Sequence, residues 1–420
     1  MINEAIIALM VMFVFFIFII KFLKKKEQSV SCFILIAFNV FFTSWLSTVL
    51  VVFFPDISTR LSGFGYDLIL DVYYKASISV LILFLGMGIY LYLYDHKQIN
   101  LSDNAELDET VRVINPLYIA FFIYSVIKIV VFYKLSPLYI AAMGQPEEAA
   151  LARAAIQKGD ISVDIPYLGK IFYFLAFYLT LTTMILVHNN KEAKLKLISV
   201  IVLASLQLTF DGQKASLFLL FMMVTITYFI LSKSFLKLFL LFFSFMLIAS
   251  SLYSFMMSGD GNPLLRALDR SIFGQAQGMY YIIEYYDPKL TGIFSDLPFS
   301  HLLGLKELKP DEWIIPYIYS DSTHVVNSNT YIVGEMWAYA GDVGVFVFSF
   351  IVLFFLIFYF LFFKWLFSFN RIIYWPIAMI FFSMLPINQS LQFIIYQKYF
   401  LYILFFLVIP ISIVHKRIRG

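Results

Sequence analysis

The chain is organised as long apolar runs separated by short polar segments. A helix needs about 20 apolar residues to cross a hydrocarbon core about 30 Å thick, and eleven runs approach that length. They lie near residues 4–23, 31–54, 73–94, 115–135, 167–188, 195–211, 214–231, 235–257, 335–363, 371–387 and 396–414. This pattern predicts an all-α integral membrane protein with about 11 transmembrane helices.

The composition supports a membrane location. Hydrophobic residues make up 61% of the 420 positions and charged residues 14%, and the mean hydropathy is +0.86. A soluble domain carries about 25% charged residues, so this chain lacks the polar surface to face water on all sides. The single cysteine, Cys32, excludes disulfides within the chain and a thiolate metal site.

The distribution of Lys and Arg predicts the orientation in the membrane. With the N-terminus outside, the inner segments carry 16 basic residues and the short outer segments carry 8, as the positive-inside rule requires. The C-terminus is then inside, and one polytopic membrane domain, 1–420, has outer loops at about 55–72, 136–166 and 258–334. Pro146, Glu147 and Glu148 predict a short surface helix in the second loop.

Catalytic chemistry is expected on the outer face. The inner loops are short and basic, and the chain contains neither a glycine-rich nucleotide-binding loop nor an HExxH motif. Nothing therefore suggests a cytoplasmic ATPase or kinase, and nothing indicates a nucleic acid partner.

A polar turn interrupts two apolar runs at Asp211, Gly212, Gln213 and Lys214. Polar groups beside or within membrane spans are costly, so they are candidates for function. Lys214 would lie at the outer boundary as a cation that contacts the substrate. Alternatively, Asp211 and Lys214 neutralise each other in a tight helical hairpin.

Two arginines at the start of the large outer loop form a second candidate cluster. Arg266 and Arg270 are four residues apart and would share one helix face. Guanidinium groups match phosphate oxygens in a planar fork, so the pair would suit a diphosphate. Asp269 could instead pair with a neighbouring arginine, or the helix could touch anionic lipid headgroups. Arg60 and Arg153 also lie outside, either as further diphosphate contacts or as surface residues.

The end of the large loop forms a third candidate cluster. His324 could take a proton from a hydroxyl, as could Glu335 at the start of the next span. The bland alternatives are a hydrogen-bonded loop histidine and a carboxylate at the membrane interface. Amide and phenol groups that would suit sugar hydroxyls and ring faces lie nearby or on the same loop: Gln275, Asn327, Asn329 and Tyr331. Aromatic belts at a membrane boundary have a similar composition.

Asp67 and Asp71 in the first outer loop are four residues apart. On a helix they could bind a metal or act as a base. The sequence offers no third ligand nearby, so an interfacial role is favoured and no metal site is predicted.

This arrangement resembles the Wzy family of O-antigen and capsule repeat-unit polymerases. The likeness lies in about a dozen helices, a large late outer loop and little else outside the membrane. Locally, the turn at Asp211–Lys214 resembles a short Gly-x-basic turn at a helix start, and 266–278 resembles the arginine-bearing start of the large loop. Residues 324–344 resemble the polar end of that loop. The chain departs at Lys214, where many relatives have arginine, and lysine offers a point charge in place of a fork.

The resemblance implies a glycosyltransferase of the outer face of a bacterial inner membrane that needs no metal or other cofactor. A polysaccharide on a polyprenyl diphosphate would be moved onto a hydroxyl of a second lipid-linked repeat unit. Lys214, Arg266 and Arg270 would contact the diphosphate, and His324 or Glu335 would activate the acceptor. Membrane lipids, a chain-length regulator and a flippase are the other expected partners.

Three other functions stay open. One is another lipid-linked glycosyltransferase or ligase; if its donor were a polyprenyl monophosphate sugar, an acidic pair such as Asp67 and Asp71 would be expected. A transporter would carry its charges at mid-bilayer, whereas the charges here cluster near the outer boundary. The last is a membrane partner without catalytic activity.

Overall fold

The computed structural model describes residues 2–25, 35–37, 40–41, 45–93, 101–212, 214–232, 269–270, 272–295, 297, 300–304, 309–318, 329–387 and 390–419. These residues contain helices and no strands. The chain divides into two compact units. The first unit comprises Met1–Lys97, Leu265–Leu361 and Leu385–Tyr399, and the second comprises Gln98–Leu264, Phe362–Met384 and Phe400–Gly420.

Several helices have the length and composition of membrane spans. Six in the described part of the chain are apolar enough to cross a membrane: Tyr66–Leu93, Asn104–Leu135, Leu168–His188, Ala215–Ser232, Tyr331–Phe367 and Lys398–Arg419. Ile2–Ile17 and Arg371–Met384 are shorter apolar helices. The prediction of a helical chain is thereby confirmed for the described residues, and these helices are compatible with a multi-pass membrane protein. The number eleven and the orientation stay predictions. The predicted span 235–257 lies outside the described residues.

The helices of the first unit are α1 (Ile2–Lys25), α2 (Leu46–Phe53), α3 (Tyr66–Leu93), α10 (Gln277–Tyr285), α11 (Pro310–Trp313), α12 (Ile315–Ile318), most of α13 (Tyr331–Phe367) and α15 (Gln392–Ile395). Those of the second unit are α4 (Asn104–Phe132), α5 (Pro137–Ala142), α6 (Pro146–Lys158), α7 (Leu168–His188), α8 (Lys194–Thr209), α9 (Lys214–Ser232), α14 (Arg371–Met384) and α17 (Ile409–Arg419). The remaining α16 (Lys398–Ile403) begins at the end of the first unit.

Helix α6 confirms the short helix expected in the second outer loop. Pro146 occupies its first turn together with Glu147 and Glu148, and Gly159 ends it with a φ of +84°. Acidic side chains favour the positive end of a helix dipole, and glycine adopts the left-handed conformation at little cost. Local sequence rules therefore suffice to define this element.

Helix α13 is broken near its beginning. Ala340 (φ −152°) and Gly341 (φ +60°) leave the helical region. A break of this kind frees carbonyl groups that a continuous helix would satisfy internally. The backbone N–H of Lys289 donates to the carbonyl oxygen of Ala338 at 2.8 Å. The loop that carries Lys289 therefore satisfies one of the carbonyl groups beside the break.

Buried polar contacts tie the helices of the first unit together. Trp45 Nε1 donates to Ser77 Oγ at 2.9 Å, and Ser349 Oγ donates to Ser79 Oγ at 2.8 Å. At Gly86, the missing side chain leaves room for Leu353, because an added Cβ would lie 2.1 Å from Leu353 Cδ2. Helix α3 therefore approaches α13 closely.

The second unit contains a buried ion pair near the end of α4. Lys128 is 3% exposed, and its Nζ lies 2.8 Å from Asp164 Oδ1. The same Asp164 oxygen accepts a hydrogen bond from Tyr124 at 2.6 Å, and Lys128 Nζ lies 5.0 Å from the ring centroid of Phe210. Because a buried ammonium group needs a counter-charge, Asp164 fixes the segment before α7 against α4.

Removing one partner of this ion pair is expected to be costly. Asp164→Ala should lower the free energy of unfolding by about 2–4 kcal/mol, because Lys128 would stay buried without its carboxylate. Thermal unfolding of the purified protein in detergent measures the loss. Asp160→Ala, an exposed neighbour, is the matched control and should change the stability by less than about 0.5 kcal/mol. The double variant Lys128→Met, Asp164→Ala should recover most of the lost stability. Equal stability of Asp164→Ala and Asp160→Ala would contradict the prediction.

Candidate functional site

The candidate site in the first unit is built around the carboxylate of Glu335. This side chain lies one turn into α13 and is completely buried. Its Oε1 accepts from Thr330 Oγ1 at 3.3 Å. Its Oε2 accepts from Tyr339 OH at 3.2 Å, Ser390 Oγ at 2.9 Å and the Leu391 N–H at 2.7 Å. Four donors thus replace the water that a carboxylate would otherwise bind.

Gln392 extends the Glu335 network towards the large loop. Its Nε2 donates to Tyr339 OH at 2.9 Å, to the Gly292 carbonyl at 3.2 Å and to Ser295 Oγ at 3.1 Å. Asp311 is also close enough to repel the Glu335 carboxylate electrostatically. The network therefore connects α13, α15 and the loop after α10.

The segment before α13 packs directly against the start of α10. Asn329 Nδ2 donates to Gln275 Oε1 at 2.5 Å. At Gly278, an added Cβ would lie 2.3 Å from the carbonyl oxygen of Asn329, so only glycine fits there. Tyr331 is buried with a φ of +50°, a conformation that costs energy for a tyrosine and is held by its surroundings.

Arg60 is fixed to the same region through Asp269. Its Nε donates to Asp269 Oδ2 at 2.5 Å, and Ser58 Oγ donates to Asp269 Oδ1 at 2.8 Å. Gln277 Nε2 also donates to the Arg60 carbonyl at 3.5 Å. The Arg60 side chain keeps 37% of its exposure, and Arg270 is exposed. Asp269 thus pairs with Arg60, which is 209 positions away in the sequence.

The polar turn that the sequence singled out lies in the second unit. Gly212 adopts a φ of +78° between α8 and α9, where an added Cβ would lie 3.3 Å from Arg153 Cδ. Ser136 Oγ donates to the Phe210 carbonyl at 2.7 Å. Lys214 is the first residue of α9, two residues along the chain from Gly212. The turn before α9 therefore lies against Arg153 at Gly212.

The predicted residues accordingly form two groups. Arg60, Arg270, Gln275, Asn329, Tyr331 and Glu335 belong to the first unit, and Arg153 and Lys214 to the second. Arg266, His324 and Asn327 lie outside the described residues.

Sequence reasoning missed several polar residues of these regions. Lys128 carried a usable signal, because an ionisable residue inside an apolar run is a functional candidate. Gln392 and Asp311 carried none, since their significance comes from contacts with distant segments.

Of the two acidic residues Asp67 and Asp71, Asp71 forms an ion pair. Asp71 forms an ion pair with Lys75, whose Nζ also lies 3.0 Å from Asp342 Oδ1. Lys75 is nearly buried, whereas Asp67 is exposed. Among the described residues, no group of three His, Cys, Asp or Glu could hold a metal ion. Asp71 thus has a local electrostatic partner.

Substitution of Glu335 tests its role as an anchor. Glu335→Ala should lower the free energy of unfolding by about 2–5 kcal/mol, because several buried donors would lose their acceptor. Thermal unfolding in detergent measures this, with the exposed Asp160→Ala as a control that should behave like the wild type. Unchanged stability of Glu335→Ala would show that the hydrogen bonds to Glu335 do not stabilise the fold.

Gly278→Ala should separate α10 from the segment before α13, because the added methyl group would collide with the Asn329 backbone. We expect the free energy of unfolding to fall by about 1–3 kcal/mol, as measured by thermal unfolding in detergent. Gly63→Ala, which meets no atom within 4 Å, is the control. Similar behaviour of the two variants would contradict the close approach.

The two groups offer complementary chemistry. The first combines a partly accessible guanidinium held by a carboxylate, amide groups, and a buried acid that orders the segment beside them. In the second, the Arg153 side chain of α6 lies against Gly212, in the turn that precedes α9.

Comparison with protein families, with curated proteins and with solved structures found no match for the chain.

Proposed function

We propose that this protein polymerises polyprenyl-diphosphate-linked oligosaccharide repeat units into O-antigen or capsular polysaccharide. The reaction would take place on the outer face of a bacterial inner membrane. One observation carries the proposal: a continuous set of contacts in the first unit joins Arg60, the segment 269–278 and the segment 329–335. These are three of the regions selected from the sequence for binding diphosphate, sugar and acceptor.

The chemistry requires stabilisation of a leaving group. The acceptor hydroxyl oxygen forms a bond to the anomeric carbon of the donor, and the bond from that carbon to the diphosphate oxygen breaks. The electron pair departs with the polyprenyl diphosphate, and the hydroxyl proton passes to a base. Fixed cations aimed at the diphosphate lower the barrier to this step without a metal.

Arg60 suits the role of a fixed cation. A guanidinium group has five N–H donors, and the Nε–H is committed to Asp269. This contact holds the planar group in one orientation while part of the side chain stays exposed. Preorganisation of this kind is what makes a cation effective in catalysis. Arg270, which directly follows Asp269 in the sequence, offers a second positive charge at the surface.

The environment of Glu335 favours a positioning role over proton transfer. Both carboxylate oxygens already accept hydrogen bonds, and the side chain is fully buried. To act as the base, Glu335 would first have to lose one of these donors to the acceptor hydroxyl. We therefore assign the base to His324 and give Glu335 the task of ordering Thr330 and the neighbouring segment.

A transporter is the second candidate, and the broken helix α13 favours it. Interrupted helices in membrane transporters expose backbone groups that bind ions or substrates. The break at Ala340 and Gly341 lies beside Asp342, which pairs with the nearly buried Lys75. A transporter would move lipid-linked sugar across vesicles without joining repeat units.

Reconstitution distinguishes the two functions. Purified protein in nanodiscs, given synthetic polyprenyl-diphosphate repeat units and no nucleotide sugar or divalent metal, is expected to give a ladder of products on a gel. A homologous enzyme that is active on the same substrates verifies them. The absence of a ladder from verified substrates would overturn the polymerase assignment, and movement of labelled substrate across vesicles would support the transporter.

Arginine variants test the diphosphate contacts. Arg60→Ala and Arg270→Ala should each reduce the rate of polymerisation about 10- to 1,000-fold, the range seen when one stabilising group is lost from a charged transition state. Arg417→Ala, an exposed arginine near the C-terminus, is the matched control. Initial rates at saturating substrate measure the effect, after thermal unfolding shows that each variant is folded. Wild-type rates for both variants would remove these residues from the site.

A further inference from the structure

Helix α4 of the second unit carries an apolar stripe on its exposed face. The residues of this stripe recur every three or four positions, as residues on one face of a helix do: Ile119, Phe122, Ile123, Val126, Ile127, Val130 and Val131. A continuous apolar face of this length is unfavourable in water, and α4 has the length and composition of a membrane span. The stripe is therefore expected to face lipid.

The length of the apolar part of α4 locates one boundary of the bilayer. Arg112 precedes this part, Lys134 lies at its end, and Lys128 within it is buried by the protein. From Leu117 to Leu135, about 19 residues at about 1.5 Å of rise per residue measure about 28 Å. This length matches the hydrocarbon thickness of about 30 Å, so the lipid tails end close to Leu135.

Helix α5 begins at this boundary and has two different faces. Ser136 before it is extended, with a φ of −72° and a ψ of 122°, as the residue before a proline prefers. The chain therefore leaves the axis of α4. Pro137 and Ala141 are buried, whereas Tyr139 and Met143 lie on the opposite side and are exposed, Met143 by 64%. One face of α5 thus packs on the protein, and the other presents apolar side chains.

Ring contacts join the exposed face of α5 to the end of the stripe. Tyr133 directly follows α4, and its ring meets that of Tyr139 edge to face, with centroids 5.2 Å apart at 82°. Lys134 Nζ lies 5.9 Å from the Tyr133 ring centroid, and Leu135 is also exposed. We call Tyr133, Leu135, Tyr139 and Met143 the boundary patch. It continues the stripe of α4 at the depth where the lipid tails end.

We propose that the boundary patch lies in the interface of the same bilayer, so that α5 rests on the membrane instead of extending into water. Its continuity with the stripe of α4 identifies lipid as the partner. Tyrosine suits this depth because its ring is apolar and its hydroxyl group stays hydrated. Lys134 can direct its ammonium group towards the lipid phosphates while its methylene groups stay beside apolar surface. This inference goes beyond the proposed function and does not depend on it.

The buried face of α5 carries this placement to the polar turn of the second unit. Ser136 Oγ donates to the Phe210 carbonyl at 2.7 Å. A Cβ added at Gly212 would lie 3.1 Å from Pro137 Cβ and 3.3 Å from Arg153 Cδ. A helix with its side chains is about 10 Å wide, so the turn lies within about one helix diameter of the boundary patch. An α5 that rests on the bilayer therefore holds this turn close to the lipid headgroups.

Spin labels at single cysteines measure the depth of the boundary patch. Cys32→Ser removes the native cysteine, and Tyr139→Cys or Met143→Cys introduces the label in protein reconstituted into phosphatidylcholine and phosphatidylglycerol vesicles. Power saturation compares collisions with O2, which concentrates in lipid, and with a water-soluble nickel chelate. Val130→Cys on the stripe and the exposed Asp160→Cys are the lipid and water references. We expect an O2-to-nickel ratio at positions 139 and 143 severalfold above that at position 160.

Each outcome supports or overturns the proposal. Equal nickel accessibility at positions 139, 143 and 160 would place α5 in water and overturn it. Labels at 139 and 143 that are shielded from both reagents would reveal a protein partner, with dipolar broadening if that partner is a second copy, and would also overturn it. Thermal unfolding shows which labelled variants are folded. If a label prevents folding, Met143→Trp replaces it: lipids brominated near the headgroup should quench the added fluorescence, and the absence of quenching would overturn the proposal.

Discussion

The first unit depends on the burial of one carboxylate. A buried carboxyl group is costly unless its oxygens are hydrogen-bonded, so Glu335 can be buried only if donors surround it. Thr330, Tyr339, Ser390 and the Leu391 backbone supply them. Because these donors come from segments far apart in the sequence, satisfying the carboxylate brings the start of α13 and the segment before α15 to one place.

Steric fit complements this electrostatic constraint. Gly278 lets α10 touch the backbone of Asn329. Gly334 likewise lets α13 approach α10, because a Cβ added at Gly334 would lie 3.2 Å from Met279 Cα. Close backbone approach leaves little freedom for the loop residues between the helices. The polar side chains of Gln275 and Asn329 are consequently held within hydrogen-bonding distance. The rings of Tyr281 and Trp313 pack against a buried cluster that includes Ala338 of α13.

Local rules predicted more of the fold than of the site. Apolar runs gave the main helices, and Pro146 with its acidic neighbours gave α6 nearly to the residue. The break at Ala340 and Gly341 was not predicted, because Gly341, Asp342 and Gly344 occur inside a long apolar run and do not by themselves distinguish a break from a continuous helix. Glu335 was selected from its position at the start of a span, yet its four donors could not be foreseen. The pairing of Arg60 with Asp269 joins residues 209 positions apart, and no local pattern encodes such a distance.

The break in α13 also changes how the membrane can be crossed. The part after Gly341 runs to Phe367, and about 26 residues at about 1.5 Å of rise per residue measure about 39 Å. This length exceeds the hydrocarbon thickness of about 30 Å. The nine residues of α13 before the break, 331–339, are therefore not needed to span the bilayer. The span after the break is thus long enough by itself, so Glu335, which precedes the break and is buried by protein, need not lie within the hydrocarbon core.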